Sequence, residues 1–343
     1  MTGEILLVDW LGRGGIAQTT AAWALAITAA GGHPTIVTRQ GSDLALLPGA
    51  VAVRIGGGRL RTHRRLAHAA AVLLERRTYE AVVVQNYLIP PVEAVIWRAA
   101  SRRDVRVVFA VHNHRPHARR AGSRAGLTNL LRRSDDLVFH SEFVATAVRL
   151  PGTACVHVLP LPPVPGALGA DVSRPALIDR ESRWAVHFGI TGRGYKGGAT
   201  VEGVARLATG NRWRVAVAGV SAVAPSNGVA APGYLEDGLL WDLVGSSDAA
   251  LLPYRAASQS AAVLLAQALG TVPVTSPVGG ISEQVVDGTD GFLVPIGAPP
   301  RAWLDRMEAL EDERVAEGMG HAARARGRRA ADEFGRLAPG VLA

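Results

Sequence analysis

Several residue types are scarce in this chain, and each scarcity excludes a class of protein. Cys155 is the only cysteine among the 343 residues, which excludes an internal disulfide framework, a cysteine-based zinc site and a CxxC redox centre. The longest apolar stretch with a helical pattern, residues 21–30, has about half of the roughly 20 residues that a membrane-spanning helix needs. No signal-peptide pattern precedes the first strand-like run. We therefore expect a cytoplasmic protein.

Lysine is also nearly absent. Lysine and arginine together number 37, and Lys196 is the only lysine. Coding composition alone produces such a bias, so Lys196 becomes informative only through the motif that surrounds it. The chain as a whole is 48% hydrophobic and 19% charged. It is therefore too apolar to be disordered, and it is long enough for two α/β domains.

Positive charge is concentrated in the first half of the chain. Residues 1–165 hold 20 basic and 10 acidic side chains, whereas residues 166–343 hold 17 basic and 19 acidic ones. The change falls at the proline-rich run 160–166, which can continue neither a helix nor a central strand. We therefore predict an N-terminal domain over 1–165, a C-terminal domain over 166–325 and a C-terminal segment over 326–343.

Short β-branched runs alternate with longer amphipathic stretches in both halves. Strands of four to seven residues separated by helices are typical of parallel sheets built from βαβ units. The sequence thus predicts an α/β protein with two such sheets and a ligand cleft between the domains, at the carboxyl ends of the strands. The predicted strands are 5–9, 35–38, 81–85, 106–111, 136–140 and 156–159, then 184–188, 213–218, 249–253, 272–275 and 291–294.

The first strand-to-helix turn formally fits a dinucleotide-binding fingerprint. Gly12, Gly14 and Ala17 have the required spacing, and glycines at these positions let the backbone approach a pyrophosphate. The second strand ends at Arg39 rather than at an acidic residue, and an arginine there would hold a 2′-phosphate. An NADP-dependent oxidoreductase is therefore one alternative. The other interpretation, which we favour, is a flexible turn that packs close to the partner domain, or an acceptor-binding loop.

A glycine-rich loop follows the first strand of the second half. It contains Arg193 and Lys196, three residues apart, just before a helical pattern. Backbone N–H groups, the helix dipole and two cations together suit an anionic ligand. The alternative is a basic surface turn. Further on, Ser260 precedes the apolar helix 261–269 and offers a second helix N-terminus for a phosphate or a ribose.

These motifs resemble those of retaining glycosyltransferases of family 4. The strongest match is the run 270–294, which is similar to the family's G-T-P-V-V-A-T-x-x-G-G-x-x-E-x-V-x-D-G-x-x-G-x-L-V. Residues 188–197, F-G-I-T-G-R-G-Y-K-G, resemble the family's phosphate loop, F-x-G-R-x-x-x-x-K-G. Weaker matches include Gly14-Gly15 and His112-Asn113. The motifs occur in the family's order, so the resemblance covers nearly the whole chain.

The resemblance implies the GT-B fold, with two Rossmann-like parallel-sheet domains facing across a cleft. It implies transfer of a hexose-type sugar, with retention, from a UDP- or GDP-sugar to an acceptor bound by the basic N-terminal domain. The products would be polysaccharides, glycolipids or glycosylated natural products, and neither a cofactor nor a metal ion is expected. The implied catalytic residues are His112, Arg193 and Lys196. The implied donor-binding residues are Gly189, Arg193, Lys196, Tyr234, Gln259, Ser260, Gly279 and Gly280, and the implied acceptor-side residues are Gly14, Gly15 and His114.

Two departures from the family pattern leave alternatives open. Ile190 stands where the phosphate loop usually has its arginine. The family's two glutamates, spaced by eight, fall on Ser258 and Ala266, or with a one-residue slip on Gln259 and Gln267. Neutral amides hydrogen-bond a hydroxyl group but cannot stabilise a developing cation electrostatically. A catalytically impaired nucleotide-sugar-binding protein is therefore a second alternative.

The basic N-terminal half favours an acidic acceptor, such as a lipid-linked saccharide, or peripheral contact with an anionic membrane. No nucleic-acid recognition motif is present. The three histidines in residues 112–117 lack cysteine or carboxylate companions, so we interpret them as part of an acceptor-facing loop rather than a metal site. We interpret Asp135 and Asp136 as solvated helix ends, and Trp23 and Trp303 as core residues.

Overall fold

The structure of the protein is a computed structural model that describes residues 3–42, 44, 47–53, 58–113, 123–150, 152 and 154–343. The chain divides into two compact units. Unit 1 comprises Met1–Pro162 together with Ala331–Ala343, and unit 2 comprises Pro163–Ala330. Each unit has its own parallel sheet and its own core.

The described residues of unit 1 form seven strands. They are β1 (Glu4–Asp9), β2 (His33–Arg39), β3 (Ala50–Val53), β4 (Ala81–Gln85), β5 (Arg106–Ala110), β6 (Asp136–Phe139) and β7 (Cys155–Val158). They form one parallel sheet in the order β3-β2-β1-β4-β5-β6-β7. Successive strands are added in one direction from β1 to β3 and in the other direction from β4 to β7, so the topological switch point lies between β1 and β4. Ligands bind at this point in open α/β sheets.

Helices cover both faces of this sheet, which explains why its central strands are apolar throughout. The helices are α1 (Gly14–Ala29), α2 (Gly58–Arg76), α3 (Pro90–Arg102), α4 (Ser123–Arg132) and α5 (Glu142–Ala147). On one face, Trp97 of α3 packs edge-on against Phe109 at a ring distance of 5.3 Å. On the other face, Trp23 of α1 meets Phe334 of the C-terminal segment at 5.4 Å.

Unit 2 contains six strands. They are β8 (Arg183–Ile190), β9 (Trp213–Val220), β10 (Gly228–Pro232), β11 (Ala249–Leu252), β12 (Val272–Thr275) and β13 (Phe292–Leu293). The sheet is parallel, in the order β10-β9-β8-β11-β12-β13. Its helices are α6 (Gly198–Leu207), α7 (Asp237–Gly245), α8 (Ala261–Leu269), α9 (Ile281–Gln284), α10 (Pro300–Glu308) and the first part of α11 (Glu313–Val341). The remainder of α11, from Ala331, belongs to unit 1. The topological switch point of this sheet lies between β8 and β11.

Most of the side-chain placements predicted from the sequence are confirmed, and one is wrong. Trp23 and Trp303 are buried core residues. Asp136, however, is not a solvated helix end, whereas Asp135 is exposed. Asp136 is fully buried in β6, where its carboxylate accepts from Arg106 Nε at 2.7 Å and lies 2.8 Å from His157 Nε2. Asp135 accepts from a backbone N–H of β5 at 2.7 Å. The pair therefore ties together the amino ends of three strands.

Candidate functional site

In unit 2, the loop between β8 and α6 lies against the end of β11. Gly197 has φ +78°, and a Cβ built on it would lie 2.0 Å from the carbonyl oxygen of Pro253. The Arg255 N–H donates to the Tyr195 carbonyl at 2.7 Å. Only a residue without a side chain permits this approach, so glycine at 197 fixes the position of Lys196 beside it.

Lys196 and Arg193 differ in their surroundings. Lys196 is half-buried, and its Nζ lies 3.8 Å from the ring centroid of Tyr254, which is 1% exposed. An ammonium at this distance is held by the electron-rich ring face. Arg193 is exposed and begins the short 3-10 turn Gly194–Lys196. The loop therefore provides one fixed cation and one that can adapt to a ligand.

Helix α6 begins directly after this loop, at Gly198. Its N-cap, Gly197, has no side chain to satisfy the first backbone N–H groups, and no capping hydrogen bond is present. The N–H groups of Thr200 and Val201 bond to the Gly197 carbonyl. An uncapped helix N-terminus next to two cations is suited to bind phosphate oxygens.

Helix α8 brings the predicted serine and glycine segments together. The Ser260 Oγ accepts from the Val263 N–H at 3.2 Å and caps the helix. The Ser260 N–H donates to Gln284 Oε1 at 2.9 Å, and the Gly280 N–H donates to the Ser258 carbonyl at 2.8 Å. The Gly279-Gly280 turn is thereby joined to the start of α8, and Gln259 lies between the two joined residues.

Three other predicted positions in unit 2 have different surroundings. Gln267 is fully buried, and its Nε2 donates to the Gln284 carbonyl at 2.7 Å, so it links α8 to α9. Tyr234 is 47% exposed and follows β10, the edge strand two places from β8. Gly189 has φ +109°, and its carbonyl oxygen lies 2.0 Å from where a Cβ on Gly219 would be. The ends of β8 and β9 are therefore tightly packed.

His187, which lies in β8 beneath the loop, is not among the site residues predicted from the sequence. Its Nδ1 is 2.9 Å from the Leu251 carbonyl, and its side chain lines a cavity of about 280 Å³ together with Thr191, Gly198 and Ser221. Burial lowers the pKa of His187 to about 4, so the ring is neutral at physiological pH. A histidine inside an otherwise apolar strand was the signal available in the sequence.

In unit 1, the turn after β1 is closed by its own carboxylate. Asp9 Oδ1 accepts from the backbone N–H groups of Leu11 and Gly12 at 2.7 and 2.6 Å, and burial raises the pKa of Asp9. A Cβ on Gly12 would lie 2.6 Å from Ser42 Cβ. The amides of Leu11 and Gly12 are therefore engaged within the turn rather than available to a pyrophosphate. Helix α1 begins at Gly14, so Gly14 and Gly15 form its first turn.

His112 follows β5 at the carboxyl edge of the unit 1 sheet. It is 6% exposed, and its Nε2 lies 3.1 Å from Gln85 Oε1. Its ring is 4.8 Å from that of His140. Burial and the neighbouring His140 hold the pKa of His112 well below its usual range. His114 lies outside the described residues. Among the residues that are described, no three His, Cys, Asp or Glu side chains are grouped so that they could hold a metal ion.

Residues 175–313 match the family model described as "Glycosyl transferases group 1". This match lies within unit 2. D-inositol 3-phosphate glycosyltransferase of Arthrobacter sp. (strain FB24) is 40% identical over 79 residues, which are 23% of this chain and 18% of that protein. The matched region thus covers less than a fifth of the length of that curated relative.

Solved structures resemble the whole chain, including the region that matches the family model. HepE of Anabaena, in complex with UDP-glucose, matches with a TM-score of 0.76 at 15% identity and covers 99% of both chains. Sucrose-phosphate synthase from Thermosynechococcus elongatus matches with a TM-score of 0.74 at 17% identity and covers 98% of both chains. Together with the two parallel sheets, this likeness confirms the GT-B fold class. Within the described residues, no helix is long and apolar enough to cross a membrane.

Proposed function

We propose that this chain is a retaining glycosyltransferase whose group 1 domain binds a nucleoside diphosphate sugar. The observation that carries the proposal is the loop of Arg193 and Lys196 at the uncapped N-terminus of α6. This arrangement lies inside the region that matches the family model. HepE, which is similar in fold, is described in complex with UDP-glucose and with UDP and glucose, which favours a UDP-sugar over a GDP-sugar.

The chemistry of transfer explains why these groups are needed. Negative charge grows on the departing nucleoside diphosphate as the bond to the sugar breaks, and preorganised cations and N–H groups stabilise it. Lys196 is already held in place by Tyr254, so little reorganisation is required when the charge develops. We propose that Arg193, Lys196 and α6 together stabilise this charge without a metal ion. Activity that is unchanged by a chelator would support this part of the proposal, and loss of activity that Mg²⁺ restores would contradict it.

The remaining site residues complete the proposal. Ser260, Gln259 and the Gly279-Gly280 turn would contact the ribose and the donor sugar, since hydrogen bonds join these segments in unit 2. His112 would contact the reacting sugar from unit 1, and Gly14 and Gly15 would serve the acceptor. Tyr234 would contact the donor from the edge of the unit 2 sheet.

A thermal-shift experiment with UDP, GDP, ADP and NADPH tests the donor class. A ligand at one hundred times its Kd stabilises the folded state by about 2.7 kcal/mol, which gives a clear rise in Tm. We expect UDP or GDP to stabilise the protein and NADPH to have no effect. Stabilisation by NADPH alone would overturn the proposal. Donor hydrolysis by the wild type but not by Lys196→Met would distinguish an active enzyme from a sugar-nucleotide binder.

The acceptor proposal rests on the basic surface of unit 1. Arg61, Arg64 and Arg65 on α2 and Arg98 and Arg102 on α3 are exposed, on helices that pack against one core cluster. We propose that this surface contacts anionic lipid, which would place the enzyme beside a lipid-linked acceptor. Co-sedimentation with phosphatidylglycerol vesicles but not with phosphatidylcholine vesicles is expected. The triple change of Arg61, Arg64 and Arg65 to Gln should abolish it, and equal binding to both lipids would contradict the proposal.

A further inference from the structure

Strand β8 separates from its neighbour β11 before either strand ends. The register between them covers two residue pairs, Ala249 with Ala185 and Ala250 with Val186. Strand β8 nevertheless continues to Ile190 and remains paired with β9 as far as that residue. The two strands therefore diverge at the topological switch point of the unit 2 sheet, which is where open α/β sheets bind ligands.

His187 bridges this point of divergence. It follows the last paired residue of β8, and its Nδ1 lies 2.9 Å from the carbonyl oxygen of Leu251, which follows the last paired residue of β11. Both residues are buried. A carbonyl oxygen only accepts hydrogen bonds, so Nδ1 carries the proton and donates it. This side-chain bond continues the connection between the two strands by one step beyond the backbone pairing.

The turn after Leu251 carries Tyr254. The Tyr254 N–H donates to the Leu252 carbonyl at 2.8 Å, and the same carbonyl accepts from Thr275 Oγ1 of β12 at 2.9 Å. Strand β12 therefore holds the turn from one side, and the bond from His187 holds it from the β8 side. Two strands together fix the place where the Tyr254 ring lies.

The charge state of His187 suits this role. Burial, with a smaller effect from the positive charge of Lys196, lowers the pKa of His187 to about 4. The imidazole is therefore neutral at physiological pH, and it donates a hydrogen bond without placing a second positive charge near the ammonium. The ammonium in turn lies 3.8 Å from the ring centroid of Tyr254. A neutral donor thus holds the turn without repelling the cation that the turn supports.

We propose that His187 is a positioning residue of the donor site. Its bond to the Leu251 carbonyl fixes the turn that carries Tyr254, and the ring of Tyr254 then holds Lys196 in place. The proposal rests on the proposed function in one respect, namely that Lys196 binds the donor diphosphate. His187 itself acts through Leu251 and Tyr254 rather than by touching the donor.

Two substitutions separate the hydrogen bond from the packing of the ring. In His187→Asn, the amide Nδ2 is the same number of bonds from Cα as the imidazole Nδ1, so it still donates to Leu251. His187→Leu keeps a similar volume but removes the donor. The hydrogen bond predicts that asparagine preserves the site and leucine does not, whereas packing alone predicts the reverse. His187→Ala repeats the test if His187→Leu does not fold.

The first test reads the contact of Lys196 with Tyr254 and needs no ligand. Lys196 is the only lysine of the chain, so protein labelled with ¹³C-lysine gives one set of lysine signals. Protons above the face of an aromatic ring are shifted upfield by its ring current. We expect the Lys196 Hε signals of the wild type and of His187→Asn to lie upfield of their position in urea-unfolded protein. In His187→Leu they should move to the unfolded position, and retention of the wild-type position would overturn the proposal.

The second test measures donor binding by titration calorimetry with UDP or GDP, whichever stabilises the wild type more. A hydrogen bond to a charged group contributes about tenfold or more in affinity. We therefore expect the Kd to rise at least about tenfold in His187→Leu and to stay close to the wild-type value in His187→Asn. Equal Kd values in the wild type and His187→Leu would overturn the proposal.

The matched control is Thr271→Val, which removes another buried side-chain bond to a backbone carbonyl of unit 2. Thr271 Oγ1 donates to the Val244 carbonyl at 2.7 Å, just before the amino end of β12. This variant should lose stability but keep the lysine signals and the Kd of the wild type. Equal losses of affinity in Thr271→Val and His187→Leu would mean that His187 has only a structural role.

Failure of this inference is distinguishable from failure of the proposed function. If the wild type binds neither UDP nor GDP, the proposed function fails. The lysine signals then still decide whether His187 holds Tyr254 beneath Lys196, because they are recorded without a nucleotide.

Discussion

Replacing Gly197 by alanine should disrupt the proposed donor site with little other change to the chain. Gly197 has φ +78°, and alanine in this left-handed region costs about 1 kcal/mol. The new Cβ would also lie 2.0 Å from the Pro253 carbonyl oxygen, whereas Cβ contacts under 3.0 Å essentially do not occur. The loop must therefore retreat by at least about 1 Å, and overpacking of this kind typically costs a further 1–3 kcal/mol.

Displacement of the loop moves the residue next to it, Lys196, away from the ring of Tyr254. We therefore expect two results for Gly197→Ala. Stability falls by about 2–4 kcal/mol, a loss of roughly 4–16 °C in the Tm of a unit of this size. The thermal shift produced by UDP is also lost. The assay is differential scanning fluorimetry with and without UDP, followed by turnover on the donor that binds best.

Gly194→Ala in the same loop is the matched control. A Cβ on Gly194 meets nothing within 4 Å, and its φ is not in the left-handed region. Its stability should change by less than about 0.5 kcal/mol, and the response to UDP should remain. A Gly197→Ala protein with the Tm and the UDP response of the wild type would refute the reasoning, because the close approach of loop and strand would then not be required.

Three further changes test other parts of the structure. Lys196→Arg should lower turnover far more than Arg206→Lys on the exposed face of α6, and similar rates for the two variants would make the lysine incidental. Acid should destabilise the protein between about pH 6.5 and 4. Burial lowers the pKa of His140 and of His187 to about 4, so the unfolded state binds protons at these two histidines at a higher pH than the folded state does. Each histidine should lower the free energy of unfolding by about 2 kcal/mol at pH 5 relative to pH 7.5. Equal free energies of unfolding at the two pH values, measured with denaturant, would contradict this. Asp136→Asn weakens two partly buried contacts in unit 1, those with Arg106 and His157, and should cost about 1–3 kcal/mol, measured by the same unfolding experiment.

Most strands could be predicted because a parallel sheet covered on both faces leaves a continuous apolar run in the sequence. The run at 81–85 and the helix at 261–269 were predicted with the bounds that the structure shows. The two strands that were missed, β3 and β10, lie at sheet edges, where most of their residues are only partly buried. An edge strand needs less apolar sequence, so the pattern that reveals a central strand is weak there.

The start of α1 was placed too late for a related reason. The apolar stretch with a helical pattern begins at residue 21, whereas the structure begins the helix at Gly14. Glycines have low helix propensity, so the first turn lacks a local signal. Its position depends instead on Asp9, which binds the backbone of the preceding turn and accepts from Thr20 at 3.2 Å. Sequence patterns give the type of an element more readily than its ends, because the ends are set by such individual contacts.

The contacts that give the candidate site its chemistry are long-range, and local pattern could not reveal them. The loop of Arg193 and Lys196 was visible as a motif, but the ring that holds Lys196 comes from Tyr254, 58 residues later. His112 was visible through the resemblance, whereas its partner Gln85 precedes it by 27 residues. In both cases the parallel sheet brings the pair together, because neighbouring strands end at the same edge.

The only lysine of the chain has a physical reason to be a lysine. Its backbone is fixed by the hydrogen bond from its own N–H to the Arg193 carbonyl at 2.8 Å and by the contact of Gly197 with Pro253. The side chain then has a short path to the Tyr254 ring, where Nζ lies 3.8 Å from the centroid. A compact ammonium fits over a ring that is 1% exposed and still directs N–H groups elsewhere. A planar guanidinium has a larger footprint and a fixed fork of donors. In a chain that otherwise uses only arginine, we expect this difference in shape to account for the exception.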